Sequence, residues 1–94
     1  MPITVNLPAI LARLADNTRV LEATAVASRS VGDVVDEIVE RYPGLAPRLR
    51  DERGQPYAFV TFYVNDDDIR FTGGFACPVR DGDEVTIVPA IAGG

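Results

Sequence analysis

Few residues in this chain can do chemistry. The 94 residues hold one thiol, Cys77, and no His, no Trp and no Lys; all nine basic residues are Arg. Without His, the side chain best suited to proton transfer near neutral pH is missing, as is the commonest metal ligand. Without Lys there is no Schiff base and no Walker-type phosphate lysine. Cys77 has no His to take its proton and is followed by Pro78, so it reads as a small half-buried residue. Asp66-Asp67-Asp68 lacks the alternating ligands and distal Glu of a calcium loop and reads as a solvated turn; no metal is expected. Gly73-Gly74 lacks the further glycines and the following helix of a phosphate loop and reads as a plain turn. No catalytic residue, and so no self-contained enzyme, is expected.

The remaining reactive position is the end of the sequence, "TIVPAIAGG". At a glycine usage of about 7%, two terminal glycines arise by chance about 0.5% of the time. A C-terminal carboxylate becomes electrophilic once an ATP-dependent enzyme converts it to an acyl-adenylate, which sulfide or a persulfide then attacks. To reach such a site a tail must be thin. Glycine has no Cβ and lets groups approach the carbonyl closely. Pro89 ends the strand ladder and aims the tail outward. Gly94 is the expected site of adenylation, with Gly93, Ala92 and Ile91 threading into the partner.

The composition bounds what presents this tail. Ninety-four residues make one domain with a single core. An apolar fraction of 47% argues against disorder. No run approaches a membrane span, and the N-terminus lacks a signal-peptide pattern, so a cytoplasmic protein is expected. One cysteine excludes a disulfide framework and fits a reducing compartment. A net charge of −5 without a basic run disfavours nucleic acid and suits a partner with a basic docking face.

Period-two alternation over Ile3-Thr4-Val5-Asn6-Leu7 predicts a strand with one buried face. Residues 9–15 read as a short helical turn or loop, Asp16-Asn17 as a turn, and 19–25 as a second strand antiparallel to the first. Ser30 with Asp33 forms a variant capping box. Val31, Val34, Val35, Ile38 and Val39 then recur at helical spacing, which predicts an amphipathic helix over about 31–42, ended by Pro43-Gly44. Residues 43–57 read as loop, with Leu45 and Leu49 able to anchor a helical turn. Residues 59–64 read as a central strand, apolar on both faces. Asn65-Asp66-Asp67 predicts a turn, Ile69-Arg70-Phe71 a short returning strand, Asp81-Gly82-Asp83 a hairpin-type turn and 84–88 the last strand. One helix must then cross one face of a mixed four- to five-stranded sheet, an α+β architecture. With the first and last strands central and parallel, this is the β-grasp arrangement. Residues 1–88 form that domain and 89–94 a flexible tail. With Val85 and Ile87 inward, Thr86 and Val88 share an outer sheet face that is the candidate docking surface.

"YVNDDDIRFTGG", "DGDEVTIVPAIAGG" and the strand-strand-helix start resemble the ubiquitin-like sulfur carriers of the MoaD/ThiS family over nearly the whole chain. Within it, "VNDDDIRF" and "PAIAGG" are most similar to the CysO-like carriers of actinobacteria. The resemblance implies a thiocarboxylate at Gly94 that donates sulfur in cysteine biosynthesis or a secondary-metabolite pathway. It implies three partners: a MoeB/ThiF-like adenylyltransferase-sulfurtransferase that uses ATP, a sulfur-accepting synthase such as a pyridoxal-phosphate-dependent cysteine synthase, and a zinc peptidase. The carrier binds no cofactor itself. Two alternatives stand beside this reading: the small subunit of molybdopterin synthase, and a ubiquitin-like modifier conjugated through its tail.

Overall fold

The computed structural model describes residues 2–25 and 29–89. The alternating start becomes β1 (Ile3–Asn6), which buries Ile3 and Val5 and leaves Thr4 and Asn6 half-buried. Pro8 leads into a single helical turn, α1 (Ala9–Ala12), and Asp16 and Asn17 reverse the chain in left-handed conformations, φ 54° and 58°. Short polar side chains tolerate that region better than most. β2 (Val20–Ala23) returns antiparallel to β1, with Val5 opposite Leu21.

After β3 (Arg29–Ser30), Ser30 caps α2 (Val31–Arg41). Its hydroxyl accepts from the Asp33 N–H at 3.2 Å, and the Asp33 carboxylate accepts from the Ser30 N–H at 3.0 Å. The expected capping box is therefore present on both sides. The helix stops at Arg41 because Pro43 drives Tyr42 out of the helical region, to φ −132° and ψ 80°. Val31, Val34, Val35, Ile38 and Val39 are all buried against the sheet. Gly32 is required by close approach, since a Cβ there would lie 3.2 Å from both Phe75 Cβ and the Phe75 carbonyl. The stretch expected to be loop holds a 3₁₀ turn, Pro43–Leu45, and α3 (Ala46–Leu49). Leu45 and Leu49 are fully buried and are its anchors.

β4 (Val60–Val64), β5 (Asp67–Asp68) and β7 (Glu84–Pro89) complete a five-stranded sheet ordered β2-β1-β7-β4-β5. β1 and β7 are adjacent and parallel, as the β-grasp requires, and the other pairings are antiparallel. Ile3, Val5, Leu21, Ala23, Phe62, Val64, Val85 and Ile87 fill the inner face under α2.

Several expectations change. The centre belongs to β7, not to β4, which β5 covers only at Tyr63 and Val64. The last strand extends one residue further, to Pro89, which pairs with Val60. The returning strand is Asp67–Asp68, so Asp67 lies in β5 rather than in the turn before it. Ile69–Phe71 instead coils into a 3₁₀ turn. The cause is local: the Asp68 carboxylate accepts the Arg70 N–H at 2.9 Å, and Thr72 N–H donates to the Ile69 carbonyl at 3.0 Å. Asp81–Asp83 does turn the chain, with Gly82 at φ 87°, but it is not a hairpin. The strand before it, β6 (Pro78–Val79), pairs with β3 in a separate two-stranded sheet. Cys77 is buried rather than half-buried, at 5% exposure, and its thiol accepts from the Thr72 hydroxyl at 3.3 Å.

Candidate functional site

The tail leaves the sheet from its middle strand. β7 is flanked by β1 and β4, so its last paired residue, Pro89, has a fixed position opposite Val60. Ile91, Ala92, Gly93 and Gly94 lie outside the described residues.

The parity of β7 is as expected: Val85 and Ile87 are buried, Thr86 is half-buried and Val88 is 41% exposed. Register extends this outer face sideways. Tyr63 lies opposite Thr86, Thr86 opposite Asn6 and Asn6 opposite Val20; Val88 lies opposite Thr61. Asn6 Nδ2 donates to Thr86 Oγ1 at 3.3 Å, tying the row together across the parallel pair. This part of the face thus offers hydroxyls, one amide and the exposed side chains of Val20 and Val88.

A residue the strand pattern had placed inside β4 belongs to this site. Phe59 precedes the first β4 residue, in a turn closed by Val60 N–H donating to the Tyr57 carbonyl. Its ring is 61% exposed and meets Tyr57 edge-on, with centroids 5.4 Å apart. Because Val60 pairs with Pro89, Phe59 and Val88 both stand at the end of the sheet where the tail departs. In the sequence Phe59 reads as part of the strand; its exposure and its place beside Pro89 come from the fold and the register.

The acidic charge is concentrated elsewhere. Asn65 makes two hydrogen bonds with Glu84, its N–H to the Glu84 carbonyl (2.7 Å) and the Glu84 N–H to its Oδ1 (3.1 Å), and a third from its Nδ2 to Asp83 Oδ1 (3.2 Å). This brings Asp66, Asp67, Asp81 and Asp83 close to Glu84 at the start of β7. At about 3.3 Å per residue, that pole lies roughly 17 Å from Pro89. Beside it, hydrogen bonds from the Arg70 guanidinium and N–H hold the Asp68 carboxyl below the usual carboxylate range. The same pairing pushes Arg70 up. Of Asp66-Asp67-Asp68, expected to form one solvated turn, Asp67 and Asp68 instead form β5, and the Asp68 carboxylate is committed to Arg70. At the other end of β7 the exposed apolar side chains are those of Phe59 and Val88. No helix among the described residues is long and apolar enough to cross a membrane.

Comparison with known proteins agrees with this geometry. The ThiS family model matches residues 5–94. Sulfur carrier protein CysO of Mycobacterium tuberculosis is 40% identical over 96 residues, spanning 100% of both chains. Small archaeal modifier protein 3 of Haloferax volcanii is 35% identical over 65 residues, covering 69% of this chain and 70% of that protein. The crystal structure of the Amycolatopsis orientalis BexX/CysO complex contains a chain that superposes with a TM-score of 0.86 at 38% identity. That match covers 98% of this chain and 99% of the other.

Proposed function

The chain belongs to the ThiS family, and on that premise we propose that it is a sulfur carrier loaded at Gly94. The observation that carries this reading is the 40% identity to a sulfur carrier protein across the whole of both chains. In the proposed cycle the Gly94 carboxylate attacks the α-phosphate of ATP on a MoeB/ThiF-like enzyme and releases pyrophosphate. Sulfide then displaces AMP from the acyl-adenylate, leaving a thiocarboxylate. Gly93, Ala92 and Ile91 thread the enzyme's channel. Thr86, Val88 and Phe59 form the face on which that enzyme docks. In this reading no side chain of the carrier serves as general acid, base or nucleophile; the chain contributes its terminal carboxylate and a position for it.

The sulfur acceptor we propose is a pyridoxal-phosphate-dependent cysteine synthase, with a zinc peptidase releasing the product; a secondary-metabolite synthase is the variant of this reading. The complex of Amycolatopsis orientalis CysO with BexX supports a protein partner for a carrier of this shape. The test is to incubate the protein with ATP, sulfide and the activating enzyme and to weigh it intact. Replacement of one terminal oxygen by sulfur is the expected result. An unchanged mass, with the same enzyme loading its own carrier in parallel, refutes the reading.

The similarity to a small archaeal modifier protein favours one second reading, conjugation of the tail to lysines of other proteins. Isopeptide-linked adducts recovered from cells would support it. Stable co-purification with a larger molybdopterin synthase subunit would instead favour the small-subunit reading.

A further inference from the structure

One edge of the main sheet runs along β2. Leu7 N–H donates to the Arg19 carbonyl at 2.8 Å, and Leu21 and Ala23 lie opposite Val5 and Ile3. Arg19, Leu21 and Ala23 therefore turn their backbone groups towards β1. Antiparallel alternation turns those of Val20, Glu22 and Thr24 away from the sheet. A row of that kind is a template for strand addition by another chain, and Val20, 58% exposed, adds apolar surface to it.

The second half of the row is occupied. Thr24 N–H donates to both Glu37 carboxylate oxygens, at 3.0 and 3.1 Å, and the Thr24 hydroxyl donates to Glu37 Oε2 at 3.3 Å. The Arg41 guanidinium donates to the Glu22 carbonyl and that of Arg29 to the Thr24 carbonyl. Arg29 also donates to the Asp33 carbonyl at 2.9 Å, which fixes it to the first turn of α2. Glu37 sits between the two arginines, paired with Arg29 and, at 2.8 Å, with Arg41. Burial alone would raise the Glu37 pKa. Hydrogen bonds from Arg29 and the Thr24 amide, with the charges of Arg29 and Arg41, outweigh it and hold the carboxyl below its ordinary value. Three outward backbone groups are thus covered by three side chains. Among the described residues the Val20 N–H and carbonyl and the Glu22 N–H are left, too short a row for a ladder.

We propose that Glu37, clamped between Arg29 and Arg41, is an edge guard that closes β2 to strand addition and so keeps a second copy of this chain from pairing edge to edge. Nothing in the proposal depends on what the tail does.

Sedimentation over a rising protein concentration, with amide exchange at Thr24, tests it. The native chain should stay at monomer mass. Glu37→Ala should associate with concentration towards twice that mass, and its Thr24 amide should exchange faster. Adding Val20→Pro should restore the monomer. The Val20 N–H faces outward, so proline there removes an edge donor while the β1 ladder survives. A folded Glu37→Ala that stays monomeric while its Thr24 amide opens would overturn the proposal. So would association that persists with Val20→Pro, which would place the contact on another surface. If Glu37→Ala does not fold at the assay temperature, Glu37→Gln takes its place. It keeps an acceptor for the Thr24 N–H but removes the charge that holds Arg41 over the Glu22 carbonyl, while Arg29 keeps its bond to the Asp33 carbonyl. Concentration-dependent doubling of its mass supports the guard, and a monomer at every concentration refutes it.

Discussion

Replacing Phe59 by alanine should weaken partner docking somewhat more than it weakens the fold. Fully burying a Phe side chain stabilises by about 1.5–3 kcal/mol relative to leaving it in water. In the free chain 61% of the Phe59 surface is still exposed. Docking therefore has roughly 1–2 kcal/mol of that burial left to gain, which corresponds to about 5- to 20-fold in affinity. Folding has already taken the rest, about 0.6–1.2 kcal/mol, part of it against Tyr57. The assay is pyrophosphate release by the activating enzyme at varied carrier concentration. Phe59→Ala should raise KM by that factor and leave kcat nearly unchanged, because the Gly94 carboxylate is untouched. Phe71→Ala is the control. Its ring is 84% exposed, but it follows β5, at the end of β4 remote from Pro89. It should leave KM alone. A KM raised by Phe71→Ala and not by Phe59→Ala would refute docking at the tail end of the sheet.

Adding one alanine after Gly94 should abolish sulfur loading without moving the thermal midpoint; intact mass and a melting curve read the two, and loading that survives would exclude Gly94 as the site. Phe62→Ala should cost about 3–5 kcal/mol, a large share of the roughly 5–15 kcal/mol total expected for a domain of this size. Phe62 is 1% exposed and meets Phe75 edge-on at 5.3 Å, and urea denaturation measures the loss. Glu37 should stabilise the fold in a pH-dependent way. Its folded-state pKa lies below the usual 4.5, so its contribution is full above that value and is lost as pH falls through the depressed one. The stability difference between the native chain and Glu37→Gln should therefore shrink on acidification below 4.5, in dilute urea titrations; a difference that grows instead would contradict the sign.

Sequence reasoning succeeded where a local rule was strong and failed where partners were distant. Ser30 and Asp33 are three residues apart, and their mutual hydrogen bonds follow from that spacing. Strand parity in "EVTIV" placed Thr86 and Val88 outward, because a period of two leaves no other option once Val85 and Ile87 are buried. The two-residue strands Arg29–Ser30 and Pro78–Val79 have no period to detect. Ile69-Arg70-Phe71 alternates like a strand, yet Asp68 captures the Arg70 N–H and coils it. Glu37 could be paired with Arg41 from helical spacing alone. Its bonds to Thr24 and Arg29 cross 13 and 8 residues and depend on how β2 meets α2.

The same division explains why a chain with so little chemistry needs so complete a core. The proposed reactive group is a backbone carboxylate, which the partner's site must receive at a set distance from the docking face. That distance is fixed only if β7 cannot slide, and register is firm where one face is buried. Val85 and Ile87, held under α2 between β1 and β4, supply that constraint. Core substitutions should then change how much carrier is folded, and substitutions at Phe59 or Val88 how well folded carrier is recognised. A core variant that keeps the fold but lets β7 shift by two residues would preserve the parity of Thr86 and Val88, yet move the tail about 7 Å relative to its neighbours. Such a chain should separate Val88 from Phe59 as well as displace the tail, so KM should rise and kcat fall together.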